Sequence, residues 1–288
     1  MASKERVRTS HKTPIEDSLF LVIVMPKVKV NDIQIYYEVH GEGSPLLMIM
    51  GLSANLNWWD NRLTKALSEK LKLVMFDNRG AGRTSSSNRE YTIKLFADDA
   101  AGIMDALGIP KAHILGFSMG GMIAQELVLN HPLKVEKLVL CSTNCGGSKS
   151  FQPSQDILEM LTADVTGLSP EEIVRMILPL ILTRNFIEEN PDLVKLIVHR
   201  LARYPISRES HMRQLKAIMG FDTFYRLKQI KAPTLILHGR KDVLVPLANA
   251  SVLAKAIPDA ELVYSEKSAH LLVEEMREVI NILIAFLA

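Results

Sequence analysis

The sequence is poor in several features that mark specialised classes of protein. Its 288 residues include two cysteines, Cys141 and Cys145, which excludes a disulfide-rich scaffold and a four-cysteine zinc site within the chain. No stretch approaches the roughly 20 apolar residues of a membrane-spanning helix. Neither sign of charge dominates, because 34 basic residues stand against 32 acidic ones. Nucleic acid and membranes are therefore not expected as partners, and a reducing, cytoplasmic setting fits best.

The first residues resemble a signal peptide only weakly. An apolar run at residues 19–25 follows several basic residues, but Glu16 and Asp17 adjoin the run and no Ala-x-Ala cleavage site comes after it. We therefore predict that residues 1–25 are a poorly ordered leader and that the folded unit begins near Met25.

Two kinds of segment alternate along most of the remaining chain. Residues 28–39 form two alternating runs around Asn31-Asp32, which predicts an antiparallel hairpin. Short runs that are apolar throughout then alternate with helical patterns, as is typical of parallel strands covered by helices on both faces. These runs lie at residues 46–50, 73–76, 113–115, 138–140, 235–237 and 262–264. The pattern predicts an α/β fold with a mostly parallel, doubly wound sheet.

One segment interrupts the alternation. Between residues 146 and 224 the sequence has helical patterns divided by prolines and no convincing strand. We predict that residues 146–224 form a helical cap inserted into a core made of residues 26–145 and 225–288. Such a cap can cover the carboxyl edge of the sheet, where open α/β sheets bind ligands. Most apolar side chains of the cap should pack on the core and a few should face a substrate. The candidates are Met160, Met176, Ile177, Leu180, Leu182, Met212 and Met219.

Ser118 is the candidate nucleophile. It lies in the Gly-x-Ser-x-Gly run of residues 116–120, which follows a predicted strand and begins a predicted helix. A turn of this kind presents its serine at the edge of the sheet, and Gly116 and Gly120 remove β-carbons that would clash. The Met119 N–H would lie at the helix N-terminus, where a developing oxyanion could accept its hydrogen bond.

A serine hydroxyl needs a base to take its proton, and the base needs an acid to orient it. With this type of turn, the acid and then the histidine follow the serine along the chain. Asp242 comes just after the apolar run at residues 235–237, and His270 follows the run at 262–264 across a short loop. Both would project from the sheet edge that carries Ser118. We therefore predict a catalytic triad of Ser118, His270 and Asp242.

Other candidates fit these roles less well. His238 ends a predicted strand and is expected to be a buried histidine that bonds to backbone. Both cysteines are expected to be buried structural residues, because a thiol nucleophile would need a base of its own. No His-Glu-x-x-His run occurs, so a helix-borne zinc site is unsupported, and we expect an activity that needs no metal and no cofactor. Three further acids do not directly follow a predicted strand: Asp222, Asp259 and Glu266.

Together these residues make the chain similar to the α/β-hydrolase superfamily from about residue 28 onward. The similarity covers residues 76–84, the turn at residues 116–120, the His-Gly-Arg-Lys-Asp run at 238–242 and Ser268-Ala269-His270. Within the superfamily the chain most resembles small carboxylesterases and lactonases, such as 3-oxoadipate enol-lactonase and the acyl-homoserine lactonases. This resemblance implies that the Leu52 N–H, after Gly51, is a second oxyanion donor. The chain departs from the usual His-Gly start of this loop, because Met50 precedes Gly51.

The motifs and the resemblance predict a hydrolase that acts on carboxylic esters or lactones through an acyl-serine intermediate. We expect a small-molecule substrate with a medium-length acyl chain, and acyl-homoserine lactones are among the candidates. Gly51, Trp58 and Trp59 are candidate substrate-binding residues, although both tryptophans could equally belong to the core. Carbon–carbon bond hydrolases and cofactor-free perhydrolases keep the same triad and remain alternatives. A non-catalytic ligand receptor on this fold is a third alternative, because a fold alone does not define function.

Overall fold

The computed structural model describes residues 26–288, and the predicted leader lies outside these residues. Eight strands in this part of the chain form one sheet in the order β1-β2-β4-β3-β5-β6-β7-β8. The strands are β1 (Lys27–Val30), β2 (Ile33–His40), β3 (Ser44–Ile49), β4 (Leu71–Phe76), β5 (Ala112–Phe117), β6 (Val135–Cys141), β7 (Thr234–Gly239) and β8 (Glu261–Ser265). Each predicted apolar run falls on one of these strands, which confirms the α/β fold.

Most neighbouring strands are parallel, and β2 is the exception. It pairs antiparallel with β1 on one side and with β4 on the other. Among themselves, strands β3 to β8 pair in parallel. The β1–β2 turn contains Asn31, whose φ of +52° is a left-handed value that asparagine tolerates. The predicted hairpin is thereby confirmed, with Val30 opposite Ile33.

Helices cover both faces of the sheet. They are α1 (Asn61–Ser68), α2 (Ile93–Ala106), α3 (Met119–Asn130), α4 (Gln155–Thr162), α5 (Pro170–Ile181), α6 (Arg184–Glu189), α7 (Pro191–Leu201), α8 (Arg208–Met219), α9 (Ala248–Ala256) and α10 (Met276–Leu287). Helices α2, α3 and α9 contribute to one buried apolar layer, while α1 and α10 contribute to the other. No helix within residues 26–288 has the length and apolar character needed to cross a membrane.

The segment between β6 and β7 contains helices α4 to α8 and, in the described chain, no strand. Its two ends meet where Gly146 and Asp222 form an isolated antiparallel bridge. Helices α5 and α7 join the apolar layer that α1 and α10 help to form. These contacts support our proposal that residues 146–224 are a cap that returns to the core close to where it leaves it.

Three glycines allow the turn between β5 and α3 to pack against the sheet. A β-carbon on Gly116 would lie 2.3 Å from the Gly120 carbonyl oxygen, and one on Gly120 would lie 2.0 Å from the Ile49 carbonyl oxygen. A β-carbon on Gly121 would lie 2.6 Å from the Thr143 side chain. These distances are too short for nonbonded atoms. The expectation that Gly116 and Gly120 avoid clashes is therefore confirmed.

We predict that Gly120→Ala destabilises the fold by at least about 3 kcal/mol, because the new methyl group would overlap backbone of β3 that cannot move aside cheaply. Gly220→Ala is the control, since Gly220 has an ordinary φ of −87° and its β-carbon would meet no atom closer than 3.7 Å. Urea unfolding of both variants and the parent measures the difference. Equal stability of the two variants would contradict the packing argument.

Candidate active site

Ser118 connects β5 to α3 with a strained backbone. Its φ of +56° and ψ of −120° lie outside the regions that non-glycine residues normally occupy. Hydrogen bonds hold this conformation on both sides of the residue. The Ser118 N–H donates to the Cys141 carbonyl at 2.9 Å, and the Ser118 carbonyl accepts from the Thr143 hydroxyl at 2.7 Å. The side chain is consequently presented to a cavity above the sheet.

His270 and Asp242 form a buried pair beside this turn. The His270 Nδ1 lies 2.7 Å from Asp242 Oδ2, and both side chains are almost completely buried. A carboxylate can only accept, so Nδ1 carries the proton and Nε2 of the neutral ring is left as an acceptor. His270 lines the same cavity as Ser118 and packs edge-to-face on Phe117. Within residues 26–288 the Ser118 hydroxyl forms no hydrogen bond.

The Asp242 carboxylate is bonded through both of its oxygens. Its Oδ1 accepts from the N–H groups of Leu244 and Val245 at 2.9 and 2.8 Å, while Oδ2 faces His270. Burial raises the pKa of Asp242, but attraction and hydrogen bonds from His270 and His238 outweigh it and lower the pKa to about 2. The carboxylate is therefore ionised across the physiological pH range.

His238 contacts the same carboxylate. As expected from the sequence, it is buried at the end of β7 and donates from Nε2 to the Val245 carbonyl at 2.9 Å. The structure adds a contact that the sequence did not predict, because the same Nε2 lies 3.3 Å from Asp242 Oδ2. Two histidines thus flank one carboxylate, and only His270 also reaches the cavity beside Ser118.

Two backbone N–H groups near Ser118 are available as hydrogen-bond donors. Neither the Leu52 N–H nor the Met119 N–H has an acceptor among the described residues. Met119 is the first residue of α3, where the helix dipole favours negative charge. A β-carbon on Gly51 would lie 3.5 Å from the Ser118 hydroxyl oxygen, so the chain passes close to the serine just before Leu52. This arrangement can hold an oxyanion only if both donors converge on it.

The cavity above Ser118 has a volume of about 200 Å³ and mainly apolar walls. Gly51, Leu52 and Trp58 line it, whereas Trp59 lies on a second, smaller cavity of about 40 Å³ and packs against Phe117. Four of the predicted roof residues line the larger cavity: Met160, Met176, Ile177 and Leu180. The other three do not, because Leu182 is packed in the core and Met212 and Met219 are exposed.

The sequence did not single out the polar residues on this cavity wall. Ser53, Arg208 and His211 line the cavity together with Ser118 and His270. Arg208 bonds to the Ala163 carbonyl at 3.0 Å, and its other close contact is an exposed ion pair with Asp164. The order serine, acid, histidine places the base after the cap, so the sequence did not predict a role for His211. No local motif marks these residues.

One rival acid lies where the sequence did not predict it. Glu266 directly follows β8, so the prediction that it does not follow a strand is wrong. The strand continues one residue beyond its apolar run, and Glu266 pairs with Arg240 on the surface.

Both cysteines are buried, and burial raises the pKa of Cys141 to about 12 and that of Cys145 to about 11. Residues 26–288 contain no group of three side chains that could hold a metal ion.

Comparisons with known proteins show which fold family the chain is similar to. A family model described as alpha/beta hydrolase fold matches residues 44–168. A curated protein of Caulobacter vibrioides named "Putative carbamate hydrolase RutD" is 30% identical over 236 residues, which cover 79% of this chain and 85% of the relative. The enol-lactonase of Burkholderia xenovorans is 25% identical with a TM-score of 0.80, covering 91% of this chain and 99% of that one. Est816, described as degrading N-acyl homoserine lactones, is 26% identical with a TM-score of 0.77, covering 91% and 100%.

We predict that Asp242→Asn lowers the free energy of unfolding by about 2 kcal/mol at pH 6, and that the difference from the parent shrinks as the pH falls from about 4 to about 2. The folded pKa lies below the ordinary value of 3.8, so the ionised carboxylate stabilises the protein above pH 4 and loses this effect as it protonates. Urea titrations across this range measure it, with the exposed Asp259→Asn as control. A difference that does not depend on pH would contradict the assignment.

Proposed function

Because this chain belongs to the α/β-hydrolase fold family, we propose that it hydrolyses carboxylic esters or lactones through an acyl-serine intermediate. The observation that carries the proposal is the buried His270–Asp242 pair at 2.7 Å, on the same cavity as the strained Ser118. A pair of this kind on an ionised carboxylate is the arrangement that allows His270 to gain and release a proton beside a serine. The ligand-receptor alternative requires no such pair.

In the first half of the proposed reaction, the Ser118 hydroxyl oxygen attacks the substrate carbonyl carbon and its proton passes to His270 Nε2. Asp242 stabilises the imidazolium because its carboxylate stays ionised down to a pH of about 2. The Leu52 and Met119 N–H groups donate to the oxyanion of the tetrahedral intermediate. The C–O bond to the leaving alcohol then breaks, and His270 returns the proton to that alcohol.

The second half repeats the same steps with water. His270 takes a proton from water as its oxygen attacks the acyl-serine carbonyl, and the Ser118 oxygen leaves with that proton. In a lactone, the leaving alcohol of the first half remains attached to the acyl group, so the product is one hydroxy acid. The same oxyanion donors therefore serve esters and lactones.

The walls of the cavity support an apolar acyl group of medium length. Side chains of α5 line it, including Ile173, Met176, Ile177 and Leu180, and Trp58 faces it from the loop after β3. Burying each methylene against such walls contributes about 0.8 kcal/mol. A volume of about 200 Å³ limits how many can be accommodated. The likeness to the enol-lactonase and to Est816 favours lactones as part of the substrate range.

Carbamate hydrolysis is a second candidate, and the name of the RutD relatives favours it. A carbamate carbonyl accepts the same attack by Ser118 and would give a carbamoyl-serine instead of an acyl-serine. The mainly aliphatic cavity favours alkyl esters over small polar carbamates. A substrate panel that contains both classes therefore separates the two candidates.

We predict that Ser118→Ala lowers kcat for its best ester by a factor of about 10⁴–10⁶, because the covalent step is lost. The fold should persist, since the hydroxyl forms no hydrogen bond within residues 26–288. Steady-state hydrolysis and circular dichroism are measured together, with Ser251→Ala, which loses a hydrogen bond to Tyr264 away from the cavity, as control. A Ser118→Ala variant with more than a tenth of parental kcat would refute Ser118 as nucleophile.

We predict that kcat/KM for p-nitrophenyl esters rises from acetyl to medium chains and then falls once the cavity is full. The rise comes from methylenes buried against the apolar wall, and the fall comes from clashes beyond it. The panel includes simple lactones, acyl-homoserine lactones and alkyl carbamates. A steady decline from acetyl upward would contradict the apolar roof. Carbamates as the preferred class would replace the first candidate with the second.

A further inference from the structure

The loop after β3 carries the Leu52 N–H and receives support from two sides. Residues 50–56, which we call the oxyanion loop, bond at both ends to the segment after β4. The Asn78 side chain donates to the Met50 carbonyl at 2.8 Å, and the Leu56 N–H donates to the Asp77 carboxylate at 2.8 Å. The core thus fixes where the loop begins and where it ends. Its middle, next to Leu52, is held by another element.

Helix α8 of the proposed cap holds the middle of the loop through Gln214. The Ser53 N–H donates to Gln214 Oε1 at 2.8 Å, and Gln214 Nε2 donates to the Arg79 carbonyl at 3.1 Å. Gln214 is fully buried, so water does not compete for either bond. Arg79 is itself fixed by buried ion pairs with Asp99. One glutamine therefore joins the middle of the oxyanion loop to a rigid part of the core.

His211, one turn before Gln214 on α8, holds the Ser53 side chain. The Ser53 hydroxyl lies 2.6 Å from His211 Nδ1, and His211 Nε2 lies 2.8 Å from the Leu161 carbonyl. A carbonyl can only accept, so Nε2 carries the proton in the neutral ring and Nδ1 accepts from the hydroxyl. The imidazole thereby links the oxyanion loop to the end of α4, which covers the cavity.

These bonds act on a residue with a strained backbone. Ser53 has a φ of +61°, a left-handed value that costs a non-glycine residue about 1–3 kcal/mol unless its surroundings enforce it. If the bonds to α8 were lost, the peptide between Leu52 and Ser53 would be free to relax. An oxyanion donor must lie about 2.7–3.1 Å from the position that the oxyanion will occupy. The Leu52 N–H lies in the preceding peptide, so a relaxation at Ser53 that also turns the Leu52 backbone would displace it.

We propose that Gln214 and His211 are positioning residues that hold the oxyanion loop, so that the cap helix α8 maintains the Leu52 donor in addition to covering the cavity. Neither residue touches the reacting atoms in this proposal, and both act through Ser53. The kinetic consequences rest on the proposed function, whereas the bonds that hold the loop do not depend on it.

The first test compares Gln214→Met with Gln125→Met. Gln125 is an equally buried glutamine that bonds to the Gly121 and Asn144 carbonyls and does not bond to the oxyanion loop. For a medium-chain ester, Gln214→Met lowers kcat by about 10–100-fold and changes KM less than threefold, since the lost interaction forms in the transition state. Gln125→Met keeps kcat within about threefold. Equal losses of kcat in both variants, or none in Gln214→Met, would overturn the proposal.

The second test uses a trifluoromethyl ketone that carries the same alkyl chain as the medium-chain ester. The Ser118 oxygen adds to its carbonyl carbon, the carbonyl oxygen becomes an oxyanion, and the serine proton moves to His270. Binding of this ketone weakens in Gln214→Met by the same factor as kcat, while the inhibition constant of the matched non-fluorinated ketone stays within threefold. Equal weakening of both ketones would indicate a distorted cavity and would refute the positioning role.

Two substitutions separate the two bonds of His211. Asn at position 211 has a side-chain oxygen that reaches about as far as Nδ1 and can still accept from Ser53, whereas Gln reaches about as far as Nε2 and can still donate to the Leu161 carbonyl. Both substitutions alter the cavity wall, so the two variants are compared with each other: His211→Asn retains a kcat at least tenfold higher than that of His211→Gln. A lower kcat in His211→Asn than in His211→Gln would show that His211 acts by holding α4 and would refute its role in holding the oxyanion loop.

Hydrogen–deuterium exchange measures how well the backbone N–H groups of the oxyanion loop are protected, and it needs no substrate. A peptide that covers residues 50–56 exchanges at least tenfold faster in Gln214→Met than in the parent, because the Ser53 N–H loses its acceptor. Its exchange in Gln125→Met matches the parent. Unchanged exchange in Gln214→Met refutes the proposal even if the parent hydrolyses no ester. An inactive parent whose loop exchanges faster in Gln214→Met refutes only the proposed function.

Discussion

The backbone of Ser118 is the constraint on which the rest of the site depends. A residue with φ near +56° and ψ near −120° persists only where its neighbours leave no alternative. Here α3 packs so closely on β3 that Gly120 has no room for a β-carbon beside the Ile49 carbonyl. This contact fixes the direction of α3, so that its N-terminus and the serine hydroxyl point to the same edge of the sheet. The apolar layers on both faces make the packing energetically possible.

The second constraint is an ionised carboxylate in a buried place. Removing Asp242 from water is unfavourable, and the structure offsets this with two backbone N–H groups and two histidines. His270 accordingly has a fixed tautomer and orientation before any substrate arrives. The loop that carries His270 is also tied to the cap, because the Leu271 N–H donates to the Ile181 carbonyl at 3.0 Å. His270 and the cap side of the cavity therefore share support.

Much of this arrangement could be predicted from the sequence, because it depends on local rules and chain order. Parallel strands are apolar on both faces, and the loops at their carboxyl ends meet at one edge of the sheet, which brings Asp242 and His270 to the side of Ser118. Local rules do not show which side of each cap helix faces the core. The exposure of Met212 and Met219 was therefore not predictable. Similarly, Trp58 lines both cavities, whereas the adjacent Trp59 lines only the smaller one.

The contacts that escaped prediction share a physical cause. Gln214 and His211 meet Ser53 across about 160 residues, and a buried glutamine or histidine on a helix has no pattern that names its partner. Met50 occupies the position where the resemblance leads one to expect a histidine, which leaves the loop without a local side-chain anchor there. The structure supplies that support through Asn78 and Asp77 of the core, through α8, and through the chain before α8, where Asn55 donates to the Arg203 and Tyr204 carbonyls. Because α8 also borders the cavity through His211 and Arg208, a change in the cap alters the substrate surface and the oxyanion loop together. In the proposed mechanism, substrate range and transition-state stabilisation are then linked by two hydrogen bonds to Ser53.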